Sequence, residues 1–143
     1  MSTQRRVFLY LACMLELCAA ALCLFLVALS AQAQSQTRFV APGAECGDAS
    51  PCYATIQAAV DAAADGDTIK VARGIYTSSA LQVLYLNKAV SITGGYVPND
   101  WTNSHPLTQT TVIDAENGLR RRGVYIDGTQ VSSVTLDGLR VQQ

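Results

Sequence analysis

The sequence predicts an all-β fold, a parallel β-helix capped by one amphipathic α-helix and preceded by a signal peptide helix. Six short runs with strand-like composition follow a single helical segment, and clusters of Gly, Asn, Asp and Pro separate them. Apolar residues recur at nearly equal spacing, at Ile69, Val90, Val112 and Val134. A fixed period of about 20 residues or more is typical of stacked repeats, whose neighbouring coils bury each other's inward faces. We therefore expect about three to four coils.

The N-terminal segment at 1–33 is typical of a secretory signal peptide. A basic pair, Arg5 and Arg6, precedes an apolar run at 7–29 that only Glu16 interrupts. The Arg pair also resembles the twin-arginine export signal, although Gln4 stands where that signal has Ser or Thr. Export by the general secretory route and by the twin-arginine route both remain open.

Small residues follow the apolar run and predict where the leader is removed. Ala31 and Ala33 form an A-x-A cleavage site, so we expect cleavage before Gln34. The alternative is an uncleaved membrane anchor, since the apolar run at about 1.5 Å per residue would just span a bilayer core of roughly 30 Å. Glu16 near its centre would be costly in a bilayer and favours cleavage. We expect a secreted or cell-surface product whose only membrane contact is through this segment.

The length and composition limit how many domains the chain can hold and which classes of partner it can bind. The chain has 143 residues, with 10 Lys and Arg against 11 Asp and Glu and a formal net charge of −1. That length allows one domain, and the balanced charge lacks the concentrated basic face that nucleic acid requires. With five Cys and one His, a multi-ligand metal or haem site is hard to build. We expect no nucleic-acid partner and no cofactor.

Residues 34–52 form an N-terminal extension that contains a predicted disulfide. Cys46 and Cys52 are the only two Cys left after cleavage, and Gly and Pro lie between them. In an oxidising compartment, two Cys this close predict a bridge that closes a small loop. A metal site is the alternative, but nothing nearby supplies two further ligands.

Residues 53–143 begin with a predicted helix at 53–64. Its apolar stripe has members at i, i+3, i+4 and i+7, namely Ile56, Ala59, Val60 and Ala63. Gly66 is expected to cap the helix C-terminus in the left-handed conformation. The helix would lie as a lid on the first coil, where it covers an open sheet edge.

The strand-like runs that follow lie at 68–72, 81–86, 90–93, 111–114, 123–127 and 134–137. Apolar and polar residues alternate in most of them, which indicates strands with one buried face.

The segment 55–76 reads T-I-Q-A-A-V-D-A-A-A-D-G-D-T-I-K-V-A-R-G-I-Y. It resembles the opening of right-handed parallel β-helix proteins of the pectin-lyase superfold, which carry T-I-Q-x-A followed by G-D-T-I-x-V-x-x-G-x-Y. Residues 90–96 together with Trp101, and then residues 111–115, are similar to secreted bacterial members with many such repeats. The resemblance covers about residues 38–141 and implies a right-handed coil. It also implies more coils than this chain holds, so we expect further C-terminal coils in a longer protein.

Catalytic motifs of that superfold are incomplete here. Pectin methylesterases carry G-x-Y-x-E where this chain has G-I-Y-T-S, with Ser78 in place of the Glu. His105 is the only histidine, and no G-x-S-x-G elbow accompanies it. Neither residue supports a hydrolase site.

A lyase-like site needs stacked acidic residues for Ca²⁺ and a basic residue that removes a proton from the sugar. Asp114 and Asp137 are the acidic candidates, and the basic candidates are Arg120, Arg121 and Arg122. Asp and Arg residues are also common in turns and solvent-exposed loops, which explains their presence here without catalysis. We therefore name no catalytic residue and expect that this chain is not an enzyme.

Binding is better supported than catalysis. Tyr96 and Trp101 flank a turn, and aromatic faces at loop tips are surfaces on which sugar rings stack. The favoured alternative is that both rings pack and seal a long loop. Tyr85 and Tyr125 are interpreted as strand residues that cover corners, without a function.

The predicted function is an exported structural, adhesive or glycan-binding module, with a polysaccharide or a cell-surface glycan as partner. The alternative is the non-catalytic start of a polysaccharide lyase or hydrolase.

Overall fold

The computed structural model describes residues 34–115 and 121–143. The predicted signal peptide, with Ala31 and Ala33, lies outside the described residues, as does Arg120. All elements below belong to the unit Ser35–Gln143. Within the described ranges, no helix is long and apolar enough to cross a membrane.

The described chain is built mainly from short strands. In chain order the elements are β1 (Thr37–Val40), a 3-10 turn (Pro42–Ala44), β2 (Cys52–Tyr53), α1 (Ile56–Ala62), β3 (Thr68–Ala72), β4 (Gly74–Tyr76), β5 (Gln82–Leu86), β6 (Ser91–Tyr96), β7 (Thr111–Asp114), β8 (Arg122–Ile126), β9 (Thr135–Asp137) and β10 (Leu139–Gln142). Every pairing between these strands is parallel. The mainly-β class predicted from the sequence is confirmed.

The strands form three sheets. Sheet A has the order β2-β1-β3-β6-β9, sheet B has β10-β7-β4, and sheet C has β5-β8. The chain therefore enters sheets A, B and C in turn through β3, β4 and β5, which we call the first passage. The second passage repeats that order through β6, β7 and β8, and the third begins with β9 and β10. Each strand of these passages lies beside its counterpart from a neighbouring passage, and β1 and β2 extend sheet A beyond β3.

One hydrophobic core receives side chains from all three sheets. Ile69 and Ile92 of sheet A, Ile113 of sheet B and Leu84 of sheet C are fully buried and belong to the same cluster. Because alternate residues of a strand point to opposite faces, each sheet turns one face toward this core and the other outward.

Helix α1 begins at Ile56 and ends at Ala62, so it is shorter at both ends than the predicted 53–64. Thr55 is its N-cap, and the Thr55 hydroxyl accepts a hydrogen bond from the Ala58 N–H at 3.1 Å. Gly66 has a left-handed φ of +89° but lies in the turn beyond the helix. The predicted Gly66 cap is therefore wrong, and the extended Ala63 occupies the C-cap position.

Two side chains attach α1 to the first passage. The Lys88 ammonium donates to the carbonyls of Val60, Asp61 and Ala63 at 2.6–3.1 Å, which satisfies acceptors that a helix C-terminus leaves open. The Gln57 amide accepts from the Tyr85 N–H at 2.7 Å and donates to the Tyr85 carbonyl at 3.2 Å. This amide pairs with the edge of β5 as a neighbouring strand would, so α1 covers that edge as predicted.

Asp67 ties β1 to the end of the helix and the start of β3. Its side chain is 2% exposed, accepts from the N–H groups of Gln36 and Ala64 at 2.8 and 2.9 Å, and forms a 3.0 Å ion pair with Arg38. Burial acts to raise the pKa of Asp67, but the two N–H donors and the Arg38 guanidinium outweigh it, so the pKa lies below its usual value.

The strand register departs from the predicted even period. Ile69 pairs with Ile92, and Ile92 pairs in turn with Leu136. The separation along the chain from Ile92 to Leu136 is nearly twice the separation from Ile69 to Ile92. Val112 lies in sheet B, between β4 and β10, so its predicted equivalence to Ile69 is wrong. The second passage is longer than the first because an excursion separates β6 from β7. Recurring β-branched residues mark strands, but they do not tell which sheet a strand joins.

Candidate functional site

The predicted disulfide is confirmed. Cys46 and Cys52 are bonded, with their Cα atoms 5.9 Å apart. Cys46 is buried beside Ala41 and Ala72, and its carbonyl accepts a hydrogen bond from the Trp101 indole at 3.0 Å. The bridged loop is therefore part of a packed layer on the outer side of sheet A.

The structure brings Tyr96 and Trp101 together within that layer. Their ring centroids are 5.8 Å apart, and Trp101 also meets Phe39 edge-on at 5.0 Å. The Lys70 ammonium lies 5.2 Å from the centroid of the Tyr96 ring and donates to the Trp101 carbonyl at 2.6 Å. Tyr96 is only 7% exposed, so these contacts agree with the alternative in which both rings pack and seal a long loop. We therefore place no ligand on this pair.

The acidic lyase candidates belong to different sheets. Asp114 ends β7 in sheet B, where its carboxylate accepts from the Gln142 amide at 3.1 Å, and Asp137 ends β9 in sheet A. The expected stack of the two carboxylates on one strand face is therefore not formed. Within residues 34–115 and 121–143, no group of three or more His, Cys, Asp or Glu is arranged to hold a metal ion.

The remaining candidates have local roles. The Arg121 guanidinium donates to the Ser78 carbonyl, and the Arg122 guanidinium lies over the ring of Tyr125. His105 is exposed in the excursion between β6 and β7, where its carbonyl accepts from the N–H groups of Thr108 and Gln109. None of these arrangements places a base beside a nucleophile.

The outer face of sheet C carries a pair of stacked tyrosines. Tyr85 of β5 and Tyr125 of β8 are partners in the parallel register, with ring centroids 5.7 Å apart and ring planes 10° from parallel. Leu84 and Leu86 are fully buried, so Tyr85 between them points outward. Tyr125 is 40% exposed. We call these two rings the tyrosine platform.

Charged side chains of opposite sign flank the platform. The Tyr85 hydroxyl donates to Asp127 at 3.1 Å, and Asp127 also accepts from the Thr129 hydroxyl and N–H at 2.7 and 3.1 Å. The Thr129 donors lower the pKa of Asp127, while the hydrogen bond to Asp127 raises the pKa of Tyr85. The Arg122 guanidinium lies 5.1 Å from the Tyr125 centroid. The platform therefore offers aromatic carbon, one anionic acceptor and one cationic donor within a few ångströms.

A cleft of about 280 Å³ lies close to the platform, at the start of α1. Its lining includes Thr55, Gln57, Ser78 and Val83. Gln57 binds the backbone of Tyr85, and Val83 precedes Tyr85 by two positions on the same strand. Since residues two apart on a strand share a face, the platform and the cleft belong to the same side of the molecule.

Sequence reasoning missed the tyrosine platform, although a signal for it exists. Two apolar-Tyr-apolar triplets occur at 84–86 and 124–126, which indicates a Tyr on the opposite face from its two neighbours in each strand. The wide separation of these triplets in the chain does not fit the predicted period, so their adjacency becomes evident only from the register of β5 and β8.

Comparison of the chain with protein-family models, with curated proteins and with solved structures found no match in any of the three.

Proposed function

We propose that this chain is an exported right-handed parallel β-helix module that binds glycans through the outer face of sheet C. The coil is supported by the repeated order of sheets A, B and C and by the parallel pairing of every strand with its counterpart. Parallel strands joined by crossovers are right-handed in nearly all proteins. The resemblance of residues 55–76 to the pectin-lyase superfold supports the same handedness.

The bonded Cys pair supports export. Disulfides persist in oxidising compartments such as the cell surface and the periplasm, and they are rare in the cytosol. The bridge between Cys46 and Cys52 therefore agrees with the secretory leader proposed for residues 1–33.

The tyrosine platform is the observation that carries the glycan-binding role. Sugar rings present an apolar C–H face, which stacks on aromatic rings, and a rim of hydroxyls that donate and accept hydrogen bonds. Tyr125 is 40% exposed and offers that surface to a sugar ring, while Arg122, whose guanidinium lies over the Tyr125 ring, supplies a donor and Asp127 an acceptor. Two rings held parallel on a rigid sheet lose little conformational entropy when a ligand binds.

Binding to immobilised polysaccharides tests this proposal. The full chain is expressed with its own leader, purified as the host cell processes it, and applied to cellulose, chitin and pectin and to an array of soluble glycans. We expect retention by at least one glycan, and a loss of about tenfold in affinity for Tyr125→Ala, because the stacking surface is removed.

Tyr125→Phe is the matched control, since it keeps the ring and removes only the hydroxyl. Leu107→Ala, in the exposed excursion between β6 and β7, controls for non-specific adhesion of an exposed apolar side chain. Absence of binding throughout the panel, or equal binding by the wild type and Tyr125→Ala, would contradict the proposal.

A further inference from the structure

The third passage carries two strand edges that have no neighbour. β9 pairs with β6 and β10 pairs with β7, and within the described residues neither has a strand on its other side. Both open edges lie at the end of the stack opposite to α1, which we call the free end. The open edge of a sheet presents backbone N–H and C=O groups that another strand can bind.

The side chains of the free end form an apolar layer with a polar rim. Leu136 and Val141 continue the buried rows of Ile92 and Ile113, yet they are 38% and 52% exposed. Since alternate residues of a strand point to opposite faces, their polar neighbours belong to the outward rows, namely Thr135, Asp137, Arg140 and Gln142.

The order of these residues is mirrored about the corner where sheet A meets sheet B. Gly138, with a left-handed φ of +63°, and Leu139 form this corner between β9 and β10. Before the corner the chain reads polar, apolar, acidic, and after it the chain reads basic, apolar, polar. Residues at equal distance from the 138–139 bond therefore point the same way, and Asp137 and Arg140 carry opposite charges.

The two charges beside the corner are available to a second molecule. Both side chains are exposed. Neither the Asp137 carboxylate nor the Arg140 guanidinium forms a hydrogen bond or an ion pair with another residue that the structure describes.

We infer that a second copy of this chain docks on the free end, with its own free end, about a two-fold axis through the corner at Gly138. A two-fold rotation reverses the strand direction, so β9 of one copy meets β10 of the other as an antiparallel pair, and this contact occurs twice. Pairing at equal distance from the corner places Leu136 against Val141 of the second copy and Asp137 against Arg140 of the second copy. Apolar side chains then cover each other, and each charge meets its opposite.

A second copy is the occupant that matches the whole free end. A single peptide strand would bind one of the two edges and leave part of the apolar layer uncovered. The opposite end of the stack is not equivalent, because α1, which Gln57 and Lys88 attach, lies over it. Two free ends are therefore the complementary pair, and a two-fold contact closes the assembly at a dimer.

This dimer leaves the tyrosine platform open. Sheet C ends one passage earlier than sheets A and B, at β8, so no strand of sheet C pairs across the axis. Because the axis passes through the corner of sheets A and B and then through the side of sheet C, both platforms face the same side. A single polysaccharide would then meet two platforms. That consequence rests on the proposed glycan binding, whereas the association does not.

Sedimentation equilibrium of the full chain, purified as the host cell processes it, tests the association between about 1 µM and about 1 mM. We expect monomer and dimer in equilibrium with a dissociation constant of about 100 µM, because two short strand pairs bury less surface than a tight dimer needs. Asp137→Arg and Arg140→Asp each place like charges at both contacts, so each should weaken the dimer about tenfold.

Exchange of the charges should restore the dimer. The double variant Asp137→Arg/Arg140→Asp is expected to return the dissociation constant to within about threefold of the wild type. An equimolar mixture of the two single variants should also associate, because each meets the opposite charge on the other. Asp48→Arg is the matched control, since it makes the same charge change at an exposed position of the bridged loop. Screening by salt should keep its effect below about twofold.

Several results would overturn the inference: a monomer throughout the concentration range, equal weakening by Asp48→Arg and Asp137→Arg, or no dimer in the mixture of the single variants. Oligomers that keep growing with concentration would also overturn it, since a two-fold contact ends at two copies. A dimer that follows the charge exchange while no glycan binds supports the inference and contradicts the proposed function alone.

Discussion

Ile69, Ile92 and Leu136 occupy one row of sheet A, on successive passages of the chain, yet their environments differ. Ile69 and Ile92 are fully buried, whereas Leu136 is 38% exposed. β3 and β6 each have a strand on both sides, while β9 has one on a single side within the described residues. Similar side chains in one row thus differ in burial because stacking, rather than hydrophobicity, covers them.

The two ends of the stack differ in the same way. At the first passage, α1, Gln57, Lys88 and the pair of Arg38 and Asp67 cover the strand edges and satisfy their polar groups. At the other end, the outermost strands of the three sheets leave apolar side chains exposed, namely Ile126, Leu136 and Val141. Stability should therefore be concentrated in the first two passages.

The largest effect is expected from a pair of matched truncations in one row. Ile92→Ala leaves a cavity in the core and should lower the free energy of unfolding by about 3 kcal/mol. Leu136→Ala removes a side chain that is already partly in water and should cost about 1 kcal/mol. Urea unfolding of the purified chain measures both. Equal losses would mean that the third passage is covered as well as the second, and the comparison of the two ends would fail.

A smaller effect, with a distinct pH dependence, is expected from Asp67→Asn. The substitution removes the charge that pairs with Arg38 and should cost about 2 kcal/mol at neutral pH. The folded-state pKa of Asp67 lies below the reference value of 3.8, so its contribution is present above that pH and is lost as the pH falls toward the folded-state value.

The difference in unfolding free energy between the wild type and Asp67→Asn should therefore shrink between about pH 5 and pH 2. Asp137→Asn, at the exposed end of β9, is the control and should change stability little at any pH. A difference that stays constant down to pH 2 would show that Asp67 acts through its shape and not through its charge.

A comparable or smaller effect is expected from the disulfide, since it closes only a short loop. Replacing both Cys46 and Cys52 by Ser should cost about 2 kcal/mol, and about 3 kcal/mol at most. Trp101 is the single tryptophan and its indole binds the Cys46 carbonyl, so its fluorescence reports the loop directly. A melting temperature that does not change on reduction of the wild type would contradict the predicted contribution of the bridge.

Much of the local structure could be predicted from the sequence. The runs at 68–72 and 111–114 match β3 and β7 residue for residue, because apolar alternation with β-branched residues is a local signal of a half-buried strand. The strands β1, β2, β4 and β10 were not predicted. The disulfide was predicted because a short separation in the chain and an oxidising compartment favour it.

The site was not predicted, and the reason is physical. Tyr96 and Trp101 were candidates as loop aromatics, but Tyr96 is buried, and Trp101 is partly buried against Phe39 and the bridged loop. Tyr85 and Tyr125 lie far apart in the chain, and only the register of β5 and β8 makes them neighbours. Aromatic character is a property of the residue, whereas exposure is a property of the packing.

The sequence by itself determined the strand-rich class, the helix that caps the first passage, the bridged loop and the alternation that gives each strand an inner and an outer face. These follow from the helical and strand periodicities and from the chemistry of nearby side chains. Only the tertiary structure decided which strand lies beside which, because connections of unequal length set the register between passages. The tyrosine platform arises from that register, since a parallel ladder aligns side chains that are far apart in the chain.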